Sequence, residues 1–273
     1  MEFLVFVCDS VNLKSLRNFS GYEKNFVYDK IGQRLKMAKT AKTEKGDNSA
    51  QKLIASAKEL FYEKGYKKTT VAEITRSAGV NNGLFTYYFG TKTNLSGMIM
   101  SQFRVDFRNV VSQKMFDIYK KYDLALGIAV EYRKNLEMLQ KNPKLRRFTI
   151  EQYADVLFNN DTSYEEILKQ KDSLKTSQRG HFYQMQKRLI NPNISDIDLQ
   201  IYQIAGVAAT NALISAMHER LIDVSVEYMG DTFIELCFGM LKLSNDRIKE
   251  LQSESLAVAK EIDLSLKNYF IVE

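Results

Sequence analysis

Between residues 70 and 92 the chain carries a series of side chains that can exchange hydrogen bonds with phosphate oxygens or base edges. Hydroxyl, amide and ammonium groups make such contacts in protein complexes with nucleic acid. The candidates are Thr70, Asn81, Asn82, Thr86, Tyr87, Tyr88 and Lys92, with Gly83 as a position where the backbone could approach DNA closely. The first chemistry that the sequence indicates is therefore the binding of a polyanion.

Side chains for catalysis or metal binding are sparse by comparison. The two histidines, His181 and His218, and the two cysteines, Cys8 and Cys237, lack partners at the spacing of a zinc site. Neither a Walker-type phosphate loop nor a GxGxxG motif occurs. We therefore expect no enzyme, no cofactor and no metal site.

Local signals place the candidate residues on a pair of short helices. Thr70 can cap a helix over residues 71–77, and Glu73 three positions later completes a capping-box pattern. Gly79 allows a tight turn, after which Asn81 can cap a further helix that runs to about residue 88. Two short helices joined by a glycine-bearing turn are typical of a helix-turn-helix unit.

An earlier helix precedes this pair. Asn48 or Ser49 can cap it, and Gly65 stands where a helix of this length should end. Its apolar residues recur at helical spacing, at Leu53, Ile54, Ala57, Leu60 and Phe61. The segment is therefore predicted to pack as three helices around one small core.

Residues 48–94 resemble the TetR (tetracycline repressor) family of transcriptional regulators. The matching residues are Gly65-Tyr66, Thr69-Thr70-Val71-Ala72-Glu73-Ile74, Ala78-Gly79-Val80-Asn81-Asn82-Gly83-Leu84-Phe85, Tyr88-Phe89-Gly90-Thr91-Lys92 and Leu95. The resemblance implies an all-α fold, with an N-terminal three-helix helix-turn-helix DNA-binding domain and a helical effector-binding and dimerisation domain. It also implies a homodimer that binds a pseudo-palindromic operator in double-stranded DNA. The leading interpretation is a repressor that is released by a small hydrophobic or amphipathic effector.

Several of the candidate contacts have a structural alternative. Thr70 and Asn81 could act only as helix caps, which makes Asn82 the better candidate for a base contact. Tyr87 and Tyr88 cannot both be buried on one face, so one of them is a candidate for phosphate. Phe85 and Phe89 are expected in the core. Lys92 begins the next helix, where a positive side chain favours phosphate.

The sequence also departs from the family. Leu84 stands where the family commonly has Thr, Thr86 where a phosphate-contacting Tyr is common, and Thr75 where Ala is usual. These differences keep an alternative open, namely a helical ligand- or partner-binding module that has lost sequence-specific DNA reading.

The charge distribution suggests that the N-terminal part binds a polyanion, with an ordinary solvated helical surface as the alternative. Residues 1–94 hold 16 basic and 9 acidic side chains, whereas residues 95–273 hold 23 and 24. We expect residues 1–47 to be an N-terminal extension ending in a basic arm with Lys39, Lys42 and Lys45. Translation from Met37 and a genuine extension of the native protein both remain open for residues 1–36.

Residues 95–273 are predicted to be helical throughout, over 92–119, 122–140, 143–158, 163–190, 195–222, 226–243 and 245–269. The apolar segments 201–221 and 228–243 suggest a dimer interface, with burial in the chain's own core as the alternative. A ligand pocket is predicted from Phe103, Phe107, Tyr119, Phe148, Tyr153, Phe182 and Met185, with ordinary core packing as the alternative for each residue. No apolar run is long enough to span a bilayer, so we expect a soluble, cytoplasmic protein with no membrane partner.

Overall fold

The computed structural model describes residues 45–119, 123–158, 190–267 and 269–273. These residues form two compact units that divide between Asn109 and Val110. Both are built of helices apart from one short C-terminal hairpin, which confirms the all-α fold class. The domain boundaries at residues 47/48 and 94/95 stay predictions. Residues 1–44 lie outside the described residues. The same is true of the predicted helix 163–190 except for its last residue, and therefore of Phe182 and Met185.

The first unit contains four helices in chain order. They are α1 (Lys45–Lys64), α2 (Val71–Ala78), α3 (Asn82–Phe89) and the first part of α4 (Lys92–Tyr119). The prediction that Asn48 or Ser49 caps α1 is wrong, because the helix begins at Lys45, inside the predicted arm. Asn and Ser each cost only about half a kcal/mol in a helix interior, so these cap-type residues do not prevent an earlier start.

Aromatic side chains fill the core of the first unit. Phe61, Tyr66 and Phe85 are almost completely buried, and the Phe61 and Tyr66 rings lie 5.5 Å apart between centroids. Gly65 ends α1 with a φ of 92°, as the sequence predicted. The buried Thr69 hydroxyl donates to the Gly65 carbonyl at 2.7 Å, which fixes the loop between α1 and α2.

Among the described residues, the second unit contains the rest of α4 and seven further helical segments. They are α5 (Leu124–Lys141), α6 (Pro143–Phe158), α7 (Asp196–Ile201), a π-helical turn (Tyr202–Gly206), α8 (Val207–His218), α9 (Val226–Met240) and α10 (Asn245–Glu261). The predicted helix 195–222 is thus divided into three pieces and ends at His218. Side chains of Asp123, Ser195, Ser225 and Ser244 cap α5, α7, α9 and α10.

The last helix ends earlier than predicted. α10 stops at Glu261 rather than residue 269, and an antiparallel hairpin of β1 (Leu266–Lys267) and β2 (Ile271–Val272) follows. Phe270 is buried against Phe148 of α6, with the two ring centroids 4.9 Å apart. Burial of this ring in a distant part of the unit favours the hairpin over continued helix.

Buried Arg133 of α5 joins α9 and α10. Its Nε donates to the Ser255 hydroxyl at 2.8 Å, and its guanidinium also donates to the Glu227 and Gln252 carbonyls. The same group forms an ion pair with Asp231. The side chain has 4% of its surface exposed, so these bonds replace almost all of its hydration.

The apolar face of α9 is part of this unit's own core. Phe233, Ile234, Cys237 and Phe238 are each at most 2% exposed within the single chain. These four residues are therefore buried in the chain's own core, which was the alternative to the predicted dimer interface.

Candidate nucleic-acid interface

The α2 N-terminus is held by the predicted capping box. The Thr70 hydroxyl accepts from the Glu73 backbone N–H at 3.2 Å, and the Thr70 N–H donates to the Glu73 carboxylate at 2.9 Å. Lys64 forms an ion pair with the same carboxylate. The Lys64 ammonium, with the Thr70 N–H and hydroxyl, lowers the pKa of Glu73 from 4.5 to about 2. The box thus orients α2 before any ligand binds.

The turn between α2 and α3 has the predicted left-handed glycine. Gly79 has φ 64° and ψ 34°, and its N–H donates to the Arg76 carbonyl at 3.2 Å. The Val80 N–H donates to the Thr75 carbonyl at 2.9 Å, which closes the end of α2. The two helices are therefore joined by a turn that two backbone hydrogen bonds close.

Asn81 caps α3, as the sequence predicted. Its Oδ1 accepts from the Leu84 N–H at 2.9 Å. A Cβ atom at Gly83 would lie 3.3 Å from this oxygen, so glycine leaves room for the cap as well as an open surface. A direct DNA contact by the Asn81 side chain stays a prediction, with its oxygen already engaged in the cap.

The two faces of α3 have different environments. Phe85, Tyr88 and Phe89 are at most 4% exposed, whereas Thr86 and Tyr87 are exposed, Tyr87 to 48%. Tyr88 is therefore a core residue, and the predicted tyrosine contact with phosphate narrows to Tyr87. The Thr86 hydroxyl donates to the Asn82 carbonyl at 3.3 Å.

Asn82 begins the exposed face and contacts α2. The Thr75 hydroxyl lies 2.6 Å from Asn82 Oδ1, although Thr75 itself is only 4% exposed. The sequence showed Thr75 only as a departure from the family. Its contact with Asn82 was not predicted, because it depends on how two helices are placed.

Lys92 has structural partners of its own. Its Nζ donates to the carbonyls of Tyr66 at 3.1 Å and Thr69 at 3.0 Å, and lies 4.2 Å from the Tyr66 ring centroid. The ammonium thus ties the start of α4 to the loop before α2. A phosphate contact by Lys92 stays a prediction, and this geometry gives the side chain a second role.

Further basic residues lie near the ends of α2. Lys67 and Lys68 are exposed just before the cap, and Arg76 is exposed in the last turn of the helix. Between residues 48 and 94 the chain has seven basic and three acidic side chains. The adjacent lysines in the sequence indicate this basic surface, but they were not among the predicted DNA contacts.

Comparison with known proteins places the first unit. Residues 53–96 match the family model described as bacterial regulatory proteins, tetR family. The matched part of the N-terminal unit is thus similar to the corresponding part of TetR-family regulators. The matched residues extend from the middle of α1 into the first turns of α4, and they include the capping box, the glycine turn and the whole of α3.

Solved structures give a weaker likeness. RolR without ligand is 18% identical, with a TM-score of 0.45 over 74% of this chain and 96% of its own. A gamma-butyrolactone receptor, described as ArpA-like, is 15% identical, with a TM-score of 0.35 over 80% of this chain and 100% of its own. Scores at this level carry no argument about function. No curated protein sequence matches the chain significantly.

The predicted pocket residues lie in both units. Phe103 and Phe107 are buried in the first unit, with ring centroids 6.1 Å apart. In the second unit Phe148 is fully buried and Tyr153 is half-buried, while Tyr119 is the last residue of α4. Because Phe148 packs against Phe270, it has a core role already, and the pocket stays a prediction.

None of the helices that the structure describes is long and apolar enough to cross a membrane. Within the same residues, no three His, Cys, Asp or Glu side chains come together as a metal-binding group.

Proposed function

We propose that this TetR-family chain is a homodimeric, sequence-specific DNA-binding repressor that a small hydrophobic or amphipathic effector releases. The observation that carries the DNA-binding part is the exposed face of α3. Asn82, Gly83, Thr86 and Tyr87 face outward from a helix that is capped at its start and anchored by buried aromatic rings. A rigid helix of this kind loses little conformational entropy when it enters a groove.

In the proposed complex, α3 enters the major groove of double-stranded DNA with its N-terminal end foremost. Asn82 reads a base edge, and the hydroxyls of Thr86 and Tyr87 donate to phosphate. The exposed lysines Lys67 and Lys68 add attraction to the backbone near the α2 N-terminus. Thr70, Asn81, Gly83 and Lys92 act mainly by holding this surface in shape.

The proposal includes a two-fold dimer that reads both halves of a pseudo-palindrome, about 34–36 Å apart. Apolar side chains on α7 and α8 support it. Ile197 is 69% and Ile201 is 51% exposed, and Ala205 and Ala212 are exposed further along the same helical segment. Large apolar residues exposed on successive turns are typical of a surface that a second copy covers.

Release by an effector requires differential binding. The effector must bind the state with low DNA affinity more tightly than the DNA-bound state, because equal affinity shifts no equilibrium. The predicted aromatic and methionine residues of the pocket fit a hydrophobic or amphipathic molecule.

The test is selection of binding sites from a random DNA library, followed by fluorescence anisotropy at two salt concentrations. We expect enrichment of one pseudo-palindromic sequence and binding that survives scrambled competitor DNA. Tyr87→Phe should weaken binding by about 1 kcal/mol, roughly fivefold, because one hydrogen bond to phosphate is lost. Tyr228→Phe is the matched control, since Tyr228 is 62% exposed in the second unit.

If scrambled competitor DNA displaced the selected sequence, the proposal would be contradicted. The protein would then have a basic surface that binds DNA without reading bases. Absence of binding even at low salt would favour the alternative of a partner-binding module. Loss of DNA reading in such a module would account for Leu84 and Thr86, which differ from the residues usual in the family.

A further inference from the structure

We propose that Thr75 determines which base Asn82 reads. Its hydroxyl holds the Asn82 amide oxygen toward α2, so that the amide nitrogen is the group presented to DNA. Thr75 is thus a positioning residue that makes Asn82 a hydrogen-bond donor rather than a donor–acceptor pair. This inference rests on the proposed function, because it assumes that α3 reads bases.

The contact crosses the turn between two helices. Thr75 Oγ1 lies 2.6 Å from Asn82 Oδ1 and 3.2 Å from the Ala72 carbonyl. A threonine hydroxyl has one hydrogen, so it can donate fully to only one of these oxygens. The 2.6 Å separation is that of a good O–H···O bond, and the hydrogen therefore belongs to the contact with Asn82.

Burial makes this contact persistent. Thr75 is 4% exposed, so water does not compete easily for its hydroxyl, whereas Asn82 is exposed at the first position of α3. Without Asn82 the hydroxyl could donate only to the more distant Ala72 carbonyl, at 3.2 Å rather than 2.6 Å. The amide oxygen is therefore held on the protein side, and the –NH2 group is left on the DNA side.

The consequence follows from the base edges of the major groove. A free asparagine amide pairs with adenine by donating to N7 and accepting from the N6 amino group. An amide that presents only its –NH2 group cannot accept from N6. Guanine offers two neighbouring acceptors, O6 and N7, and thus matches a donor. We expect guanine rather than adenine at the position that Asn82 reads.

The experiment compares base preferences of full-length variants by selection from a random library. Asn82→Ala identifies the base pair that Asn82 reads, because preference there should flatten. The parent should prefer guanine over adenine at that position. Thr75→Val and Thr75→Ala, which both lack the hydroxyl, should shift the guanine-to-adenine ratio toward adenine by about tenfold.

Two controls separate positioning from a general effect on the fold. Thr75→Ser retains the hydroxyl and should restore the parental base preference. Thr86→Val removes an exposed hydroxyl from α3 and should change overall affinity without changing the ratio at the Asn82 position. Far-UV circular dichroism checks that each variant is folded, and the two variants without the hydroxyl serve as replicates of one another.

Two results would overturn the inference while the proposed function stands. One is a parental preference for adenine or cytosine at the Asn82 position, which would mean that the oxygen faces DNA. The other is an unchanged ratio in both Thr75→Val and Thr75→Ala. If the unsubstituted protein enriched no sequence at all, the proposed function would be overturned. The role of Thr75 in base reading would then be overturned as well.

Discussion

Replacing Arg133 with methionine tests whether one buried charge holds three helices of the second unit together. Methionine keeps much of the apolar volume of the arginine stem but donates no hydrogen bond. The change removes the ion pair with Asp231, the bond to the Ser255 hydroxyl and the bonds to two carbonyls of α9 and α10.

The expected cost can be worked out from what each partner keeps. Removal of one member of a buried ion pair costs about 3–5 kcal/mol. The Asp231 side chain is 44% exposed, so water partly replaces the lost guanidinium. Ser255 is fully buried, but its hydroxyl still has the Gln252 carbonyl at 3.2 Å. We therefore expect the lower end of the range, about 3 kcal/mol of unfolding free energy.

The assay is urea unfolding followed by far-UV circular dichroism, with the change in midpoint converted through the denaturant slope. Arg247→Met is the matched control. Arg247 pairs with Asp123 at 2.7 Å and Glu250 at 2.6 Å, but its side chain is 30% exposed. Exposed ion pairs contribute at most about 1 kcal/mol.

Equal effects of the two substitutions would refute the reasoning. If Arg133→Met cost less than about 1 kcal/mol, apolar packing would hold α5, α9 and α10 together without the buried guanidinium. An unchanged denaturant slope is needed for the comparison, because a changed slope would mean a different unfolded or partly folded state.

Two further predictions concern the first unit. Glu73→Gln keeps a capping side chain but removes its charge. Because the pKa of Glu73 in the folded protein lies near 2, the parent should be more stable than the variant above pH 4.5. This difference in unfolding free energy should vanish as the pH falls through 2. Urea midpoints of both proteins across this range measure it, and a constant difference would contradict the ion-pair explanation. Gly79→Ala should cost about 1 kcal/mol because φ is 64° while no atom lies within 4 Å of an added Cβ. Gly79→Asn should cost less in the same assay, since asparagine tolerates this conformation; an equal loss would implicate contacts instead.

The sequence predicted those features that depend on residues close together in the chain. The caps at Thr70 and Asn81 and the turn at Gly79 each involve bonds across three to five residues, and all three are present. The start of α1 was missed because cap-type residues are tolerated inside helices.

Features that depend on distant packing could not be read in this way. The hairpin at the C-terminus forms where Phe270 packs against Phe148, and no local sequence pattern predicts that contact. Lys92 was predicted to contact phosphate from its place at the start of α4, yet its ammonium reaches carbonyls 23 and 26 residues earlier. The contact between Thr75 and Asn82 likewise needs both helices to be in place.

The division of labour within α3 has a consequence for how such a protein changes over generations. Asn81 and the buried rings determine where the helix lies, while Thr86 and Tyr87 point outward from it. Mutations at these outward positions can therefore alter how tightly DNA is bound at little cost in stability. In the proposed mode of reading, a new target base instead requires a substitution at Asn82 or at Thr75, the residue behind it, so two positions control specificity while their neighbours control affinity.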